Sequence, residues 1–166
     1  LANTYTKSES DAKIAELGGK VLQVVTKNGK VFSRSNSSIY VASTLFESIT
    51  PVSSTSEMIV IFNTKLWTFG DGTTASGNFK IYCDGVDIDA NYYKSVERAS
   101  YNNGSQQLET GAKSSTTIQL VHTHGTTSAR EYKLYMKGVA GNGTYSWAYA
   151  STDEDYYDIT IFEIEQ

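Results

Sequence analysis

From Lys20 onward the sequence runs with a period of two, and that period restricts the chain to sheets. Phe79, Ile81 and Cys83 alternate with Asn78, Lys80 and Tyr82. Tyr132, Leu134 and Met136 alternate with Glu131, Lys133, Tyr135 and Lys137, and Tyr145, Trp147 and Tyr149 with Thr144, Ser146 and Ala148. Each run reads as a strand with one buried face, because successive side chains of a strand point to opposite sides. Asn28-Gly29, Asp71-Gly72, Asp84-Gly85, Asn103-Gly104 and Asn142-Gly143 punctuate the runs. Such dipeptides tolerate positive φ and predict turns. Ser and Thr supply roughly a quarter of the residues and Pro only 1, a composition of strands joined by polar turns. The expectation is an all-β chain: an antiparallel β-sandwich, jelly-roll-like.

Residues 1–19 differ. Thr6-Lys7-Ser8-Glu9 has the form of a capping box, Ser10 to Leu17 is rich in helix formers, and Gly18-Gly19 end the stretch. This predicts a short N-terminal helix, too short to be stable alone in water. Ile14 and Leu17 share the a/d spacing of a coiled coil and are candidate interface residues. The division expected is a helical linker over 1–19 and a sandwich head over 20–166.

Two strands break the alternation. Met58-Ile59-Val60-Ile61-Phe62 is apolar on both faces, with the even positions continuing to Leu66, and Val21-Leu22-Gln23-Val24-Val25 is similar. A strand apolar on both faces needs cover on both sides. With the even side of the first strand toward the core, Leu22, Val24, Ile59 and Ile61 become candidates for a contact with another subunit. A loop of the same chain folding over them is the alternative.

The 166 residues suffice for one domain with a core. Leu1 in place of a start methionine suggests a fragment of a longer chain. A net charge of −4 with 19% charged residues leaves no basic stripe for phosphates, so no nucleic-acid partner is expected. No apolar run reaches the length of a membrane span. The single cysteine, Cys83, excludes an intrachain disulfide and sits on the apolar side of its strand, as an inert core residue would.

Little in the sequence points to catalysis or to a cofactor. There is no G-x-S-x-G elbow, no P-loop and no G-x-G-x-x-G, and Glu97 and Glu109 stand isolated. His122-Thr123-His124 would put two imidazoles on one face of a strand and is the one candidate metal pair. Ile118 and Leu120 lie on that same face, so the alternative puts His122 at the core's edge and His124 at the strand's end. Asp153-Glu154-Asp155 lacks the ligand spacing of a calcium loop and reads as a solvated turn. Tyr92, Tyr93, Tyr101, Tyr156 and Tyr157 fall in or beside turn-rich stretches. An exposed tyrosine offers a flat ring and a hydroxyl to a sugar, so these are the candidate receptor-binding residues.

Two segments carry a resemblance. Residues 4–17, Thr-Tyr-Thr-Lys-Ser-Glu-Ser-Asp-Ala-Lys-Ile-Ala-Glu-Leu, resemble stretches that precede C-terminal heads in phage tail-fibre chains. Residues 19–62 resemble small β domains of marine phages and cyanophages, through Gly19-Lys20-Val21-Leu22-Gln23-Val24-Val25 and Ser48-Ile49-Thr50-Pro51-Val52-Ser53-Ser54-Thr55-Ser56. Arg130-Glu131-Tyr132-Lys133-Leu134 and Ile159-Thr160-Ile161-Phe162-Glu163-Ile164 fit the same pattern, while about 84–115 does not. The resemblance implies a trimeric, jelly-roll-like head on a virion-surface appendage. It would bind a host-cell surface glycan or protein by multivalent adhesion, alongside other virion proteins and with no catalytic residues. The unmatched stretch around 86–104 is where receptor specificity would reside. A capsid or tail decoration protein, a carbohydrate-binding module and a small glycan hydrolase are the alternatives.

Overall fold

A computed structural model describes residues 20–30, 32–70, 74–89, 94–99, 112–140, 146–150 and 157–166. The expected helix over 1–19, with Ile14 and Leu17, lies outside these residues. Eleven strands account for most of the rest: β1 (Val21–Gly29), β2 (Ser33–Ser35), β3 (Val41–Ile49), β4 (Glu57–Gly70), β5 (Thr74–Cys83), β6 (Val86–Asp87), β7 (Lys94–Ala99), β8 (Ala112–Thr123), β9 (Arg130–Ala140), β10 (Ser146–Ala150) and β11 (Tyr157–Ile164). Every pairing is antiparallel, and the strands form two sheets, as the period of two requires.

Sheet A is organised by the long strand β4. β8 pairs along one edge of it from Glu57 to Thr68. The other edge is shared, because β11 pairs Glu57–Asn63 and β10 pairs Leu66–Gly70. β1 lies outside β11 and β2 outside β10. Sheet B repeats the arrangement around β5: β9 runs along one edge with β3 beyond it, and β7 and β6 divide the other.

The core fills the space between the sheets. From sheet A come Met58, Val60, Phe62 and Leu66 of β4, Ile118 and Leu120 of β8, and Ile159 and Ile161 of β11. From sheet B come Phe79, Ile81, Leu134 and Met136, joined by Leu45. The even positions of β4 face inward, as their continuation to Leu66 implies. Fully burying each such aliphatic or aromatic side chain contributes about 1.5–3 kcal/mol, so the alternation itself holds the sheets together.

Two expectations change. Asn28-Gly29 is not a turn but the end of β1, where Asn28 pairs with Asp158 and Gly29 with Tyr157. The glycine serves closeness, since a Cβ there would come within 3.2 Å of the Tyr157 ring. Asp84-Gly85, by contrast, is a turn joining β5 to β6, with φ of 50° and 77°. The second change is in β10, where the small residues Ala148 and Ala150 are buried in the core while Tyr149 stacks on Trp67 at 4.5 Å. Small side chains are required because the sheets approach closely: a Cβ on Gly77 of β5 would sit 3.1 Å from that of Ala148. Volume, not hydropathy, selects the inward residue at this point.

Candidate functional site

The outer face of sheet A carries three transverse rows that the register defines. Val24, Phe162, Ile59 and Val121 lie side by side across β1, β11, β4 and β8. The next row is Thr26, Thr160, Ile61 and Gln119, and the third is Asn28, Asp158, Asn63 and Thr117. The inward neighbours Ile161, Val60 and Leu120 are core, so these rows point away from sheet B. The first row is wholly apolar, with Val24 47% and Val121 53% exposed and Ile59 and Phe162 half-buried. The first two rows contain no charged side chain. Leu22, at the irregularity in the β1–β11 pairing between Val21 and Gln23, is half-buried. Leu22, Val24, Ile59 and Ile61, singled out in the sequence for their second apolar face, thus lie in the two strands that cross this surface.

The third row is polar and internally bonded. The Asn63 amide donates to both carboxylate oxygens of Asp158, at 3.1 and 3.3 Å, and accepts from the Thr117 hydroxyl at 2.6 Å. Beside it, among the described residues, β4 loses a partner: β11 pairs no further than Asn63 and β10 begins at Leu66. The resulting notch opens a groove of about 680 Å³, bordered by this row together with Thr64, Lys65 and Tyr157. Thr64 is 5% exposed, and its hydroxyl has no hydrogen-bond partner among the described residues.

The His-x-His pair lies elsewhere, at the far end of β8. His122 Nδ1 and the Tyr132 hydroxyl share a hydrogen bond at 2.9 Å. Burial, and then the neighbouring His124, hold the His122 imidazole below its usual range, while burial pushes the Tyr132 phenol up. His124 is buried, and its Nδ1 accepts the Thr126 amide at 3.3 Å. The tautomer that fits has its proton on Nε2, donated to Ser56 Oγ at 3.2 Å. Both histidines are therefore held by polar partners within the fold, and no cluster of three metal-ligating side chains occurs among the described residues.

Ser56 leads on to Glu163, a fully buried carboxylate at the end of β11. Ser56 Oγ donates to it at 2.5 Å, the Val52 amide at 2.8 and 3.0 Å, the Ser53 amide at 3.0 Å and Gln23 at 2.6 Å. Burial alone would raise this carboxyl. The bonds from Ser56, Val52, Ser53 and Gln23 outweigh it and bring the group down to about 2. Serine, histidine and glutamate thus meet, but not in the order of a nucleophilic triad. There the imidazole stands between hydroxyl and carboxylate and takes the hydroxyl proton. Here the hydroxyl stands in the middle and gives its proton to the carboxylate. The arrangement ties the loop after β3 to β11. Sequence reading missed it because the partners lie 107 residues apart; the one signal was an acid at an inward position of β11.

The other sequence candidates divide. Tyr157, read as a surface ring, is buried, because it begins β11 on the core side and packs over Gly29. Tyr92, Tyr93, Tyr101, Tyr156, Glu109 and Asp153-Glu154-Asp155 lie outside the described residues, and Glu97 lies in β7. Cys83 is buried, and burial, with the charge of Asp84, pushes its thiol up to about 11, so it stays protonated. Aromatics also line the outer face of sheet B. Tyr82 and Tyr135 stack at 3.9 Å, and Lys133 and Lys137 lie over Phe46 and Tyr40 at 4.8 Å. Their signal was present as the polar half of the β5 and β9 alternations.

No family model matches the chain, and no curated protein does. Among solved structures, the chain has 15% identity and a TM-score of 0.44 to a capsid chain of the T13 infectious bursal disease virus particle, over 86% of this chain and 35% of that one. The D431N VP2 protein of the same virus gives 14% identity and 0.42 over 87% and 36%. Eiger, a TNF from S. frugiperda, gives 11% and 0.36 over 67% and 61%. The chain spans about a third of the capsid chains' length. At these scores the likeness carries no functional information.

Proposed function

We propose that this chain is the head of a fibre on a virion surface, a homotrimer that adheres to a host cell. The observation that carries the self-association is the apolar row Val24–Phe162–Ile59–Val121 with the uncharged row beside it. The core of a protein interface is poor in charge and rich in apolar contact, and a contiguous apolar patch on a sheet's outer face is a place where another surface binds. The resemblance of residues 4–17 to stretches of phage tail-fibre chains and of residues 19–62 to small β domains of marine phages and cyanophages supports the viral setting, and three copies on one fibre would add avidity to weak individual contacts.

Sedimentation equilibrium of the 166-residue chain tests the reading. A trimer is expected, and Ile59→Lys, which sets a charge in the middle of the apolar row, should shift it to monomer with unchanged far-ultraviolet circular dichroism. A monomeric parent protein, or an Ile59→Lys trimer as stable as the parent, would overturn this interface. Adsorption of the labelled protein to bacterial cells, lost on dissociation, tests the adhesion itself.

A further inference from the structure

We infer that the notch in sheet A is a binding site for a neutral saccharide. This deepens the adhesion reading, on which its biological purpose rests. The cause of the site is topological. β4 is longer than either strand that pairs with its shared edge, so Thr64 and Lys65 fall between Asn63, the last partner of β11, and Leu66, the first of β10. A groove of about 680 Å³ results, within the range of small-ligand sites and large enough for one or two sugar rings.

Its chemistry follows from the bonds already made. Thr117 gives its proton to Asn63, so its oxygen faces outward as an acceptor. Asp158 takes both its bonds from Asn63, which leaves its remaining lone pairs as acceptors. Asn63 holds these two groups in fixed relation across three adjacent strands. Two fixed acceptors on a sheet suit adjacent hydroxyl groups, which are donors, better than an anion, which brings only acceptors of its own. Asn28, Lys65, Ser115, Thr116 and the buried edge of Tyr157 complete the wall. The groove lies four residues along each strand from the apolar row, about 13 Å at the rise of a strand, so self-association through that row leaves it at the rim.

The test is a titration of the ¹⁵N-labelled 166-residue chain with maltose, cellobiose and lactose, followed by amide shifts. At least one sugar should move the amides of Asn28, Asn63, Ser115, Thr117 and Asp158 and leave those near Ser56 and Glu163 still. Thr117→Val, which keeps the shape and removes the acceptor, should weaken binding by roughly fivefold, the worth of one hydrogen bond. Asn63→Ala, which frees both acceptors, should abolish it. Absence of shifts with all three sugars, shifts elsewhere only, or a Thr117→Val titration equal to the parent's would overturn the proposal. So would the same shifts from calcium chloride alone, which would make the site one for a cation. Sedimentation of the same samples reads the fibre-head proposal separately: a trimer that binds no sugar sinks only the groove, and a monomer that binds one sinks only the trimer.

Discussion

Glu163 and Thr64 are both buried polar residues on the inward side of sheet A, and the fold treats them in opposite ways. Glu163, at the end of β11, is met by two backbone amides, a hydroxyl and a side-chain amide. Thr64 sits where β11 has stopped and β10 has not begun, and its hydroxyl meets no partner among the described residues. The difference lies in what the neighbouring chain can supply. Beside Glu163, the segment after β3 presents the N–H groups of Val52 and Ser53 to it. Beside Thr64, the two strands that share an edge of β4 leave a gap. A saturated network of this kind fixes a structure, whereas an unsaturated one is a local cost that a ligand or a substitution can relieve.

The largest expected effect comes from breaking the satisfied end. Glu163→Ala should destabilise the fold by about 3 kcal/mol, because the Val52 and Ser53 amides lose their acceptor and a buried orphan costs about 1–3 kcal/mol each. Gln23 and Ser56 keep the Thr50 and Ser53 carbonyls, which limits the loss. Urea unfolding would show it as a lowered midpoint. A loss below 1 kcal/mol would mean that the network contributes no more than a surface contact.

Acid should sharpen the same point. The folded carboxyl lies at about 2, against an ordinary value of 4.5. A depressed group contributes its stability fully above the unfolded value and loses it as pH falls through the folded one. The window is therefore from about pH 4.5 down to about pH 2, and the loss is about 3 kcal/mol at roughly 1.4 kcal/mol per unit. Glu163→Gln cannot titrate and should be less stable at pH 7 but flatter across this window. Parallel pH profiles for the two proteins would remove Glu163 from the acid response.

Much of this was legible in the residues. The alternation in β9 and the inward even positions of β4 fixed which side chains form the core, and the second apolar face of β4 marked the outer row. Asp84-Gly85 announced its turn. The polar sites were not legible, for a reason of distance. Asn63 meets Asp158 and Thr117 at separations of 95 and 54 residues, so only strand order brings them together. Asn28-Gly29 shows the converse failure, a local turn signal overruled by the need to pass close over the Tyr157 ring. Propensity acts on neighbours in sequence, whereas sites are made by neighbours across the sheet.

The smallest effect has the opposite sign and is the sharpest test of the comparison. Thr64→Val replaces a hydroxyl by a methyl group of similar size, at a position 5% exposed in a strand. Both residues are β-branched, so the backbone preference scarcely changes. What changes is that a buried hydroxyl without a partner is removed, which should stabilise the protein by up to about 1 kcal/mol. Ser56→Ala, at the satisfied end, also removes one buried hydroxyl, but it takes a donor from Glu163 and an acceptor from His124, and should destabilise by about 1–2 kcal/mol. Two deletions of the same atom type in one sheet-bounded core should thus move the urea midpoint in opposite directions. If Thr64→Val destabilises instead, its hydroxyl is met by an internal water. The contrast would then lie between protein and solvent as partners.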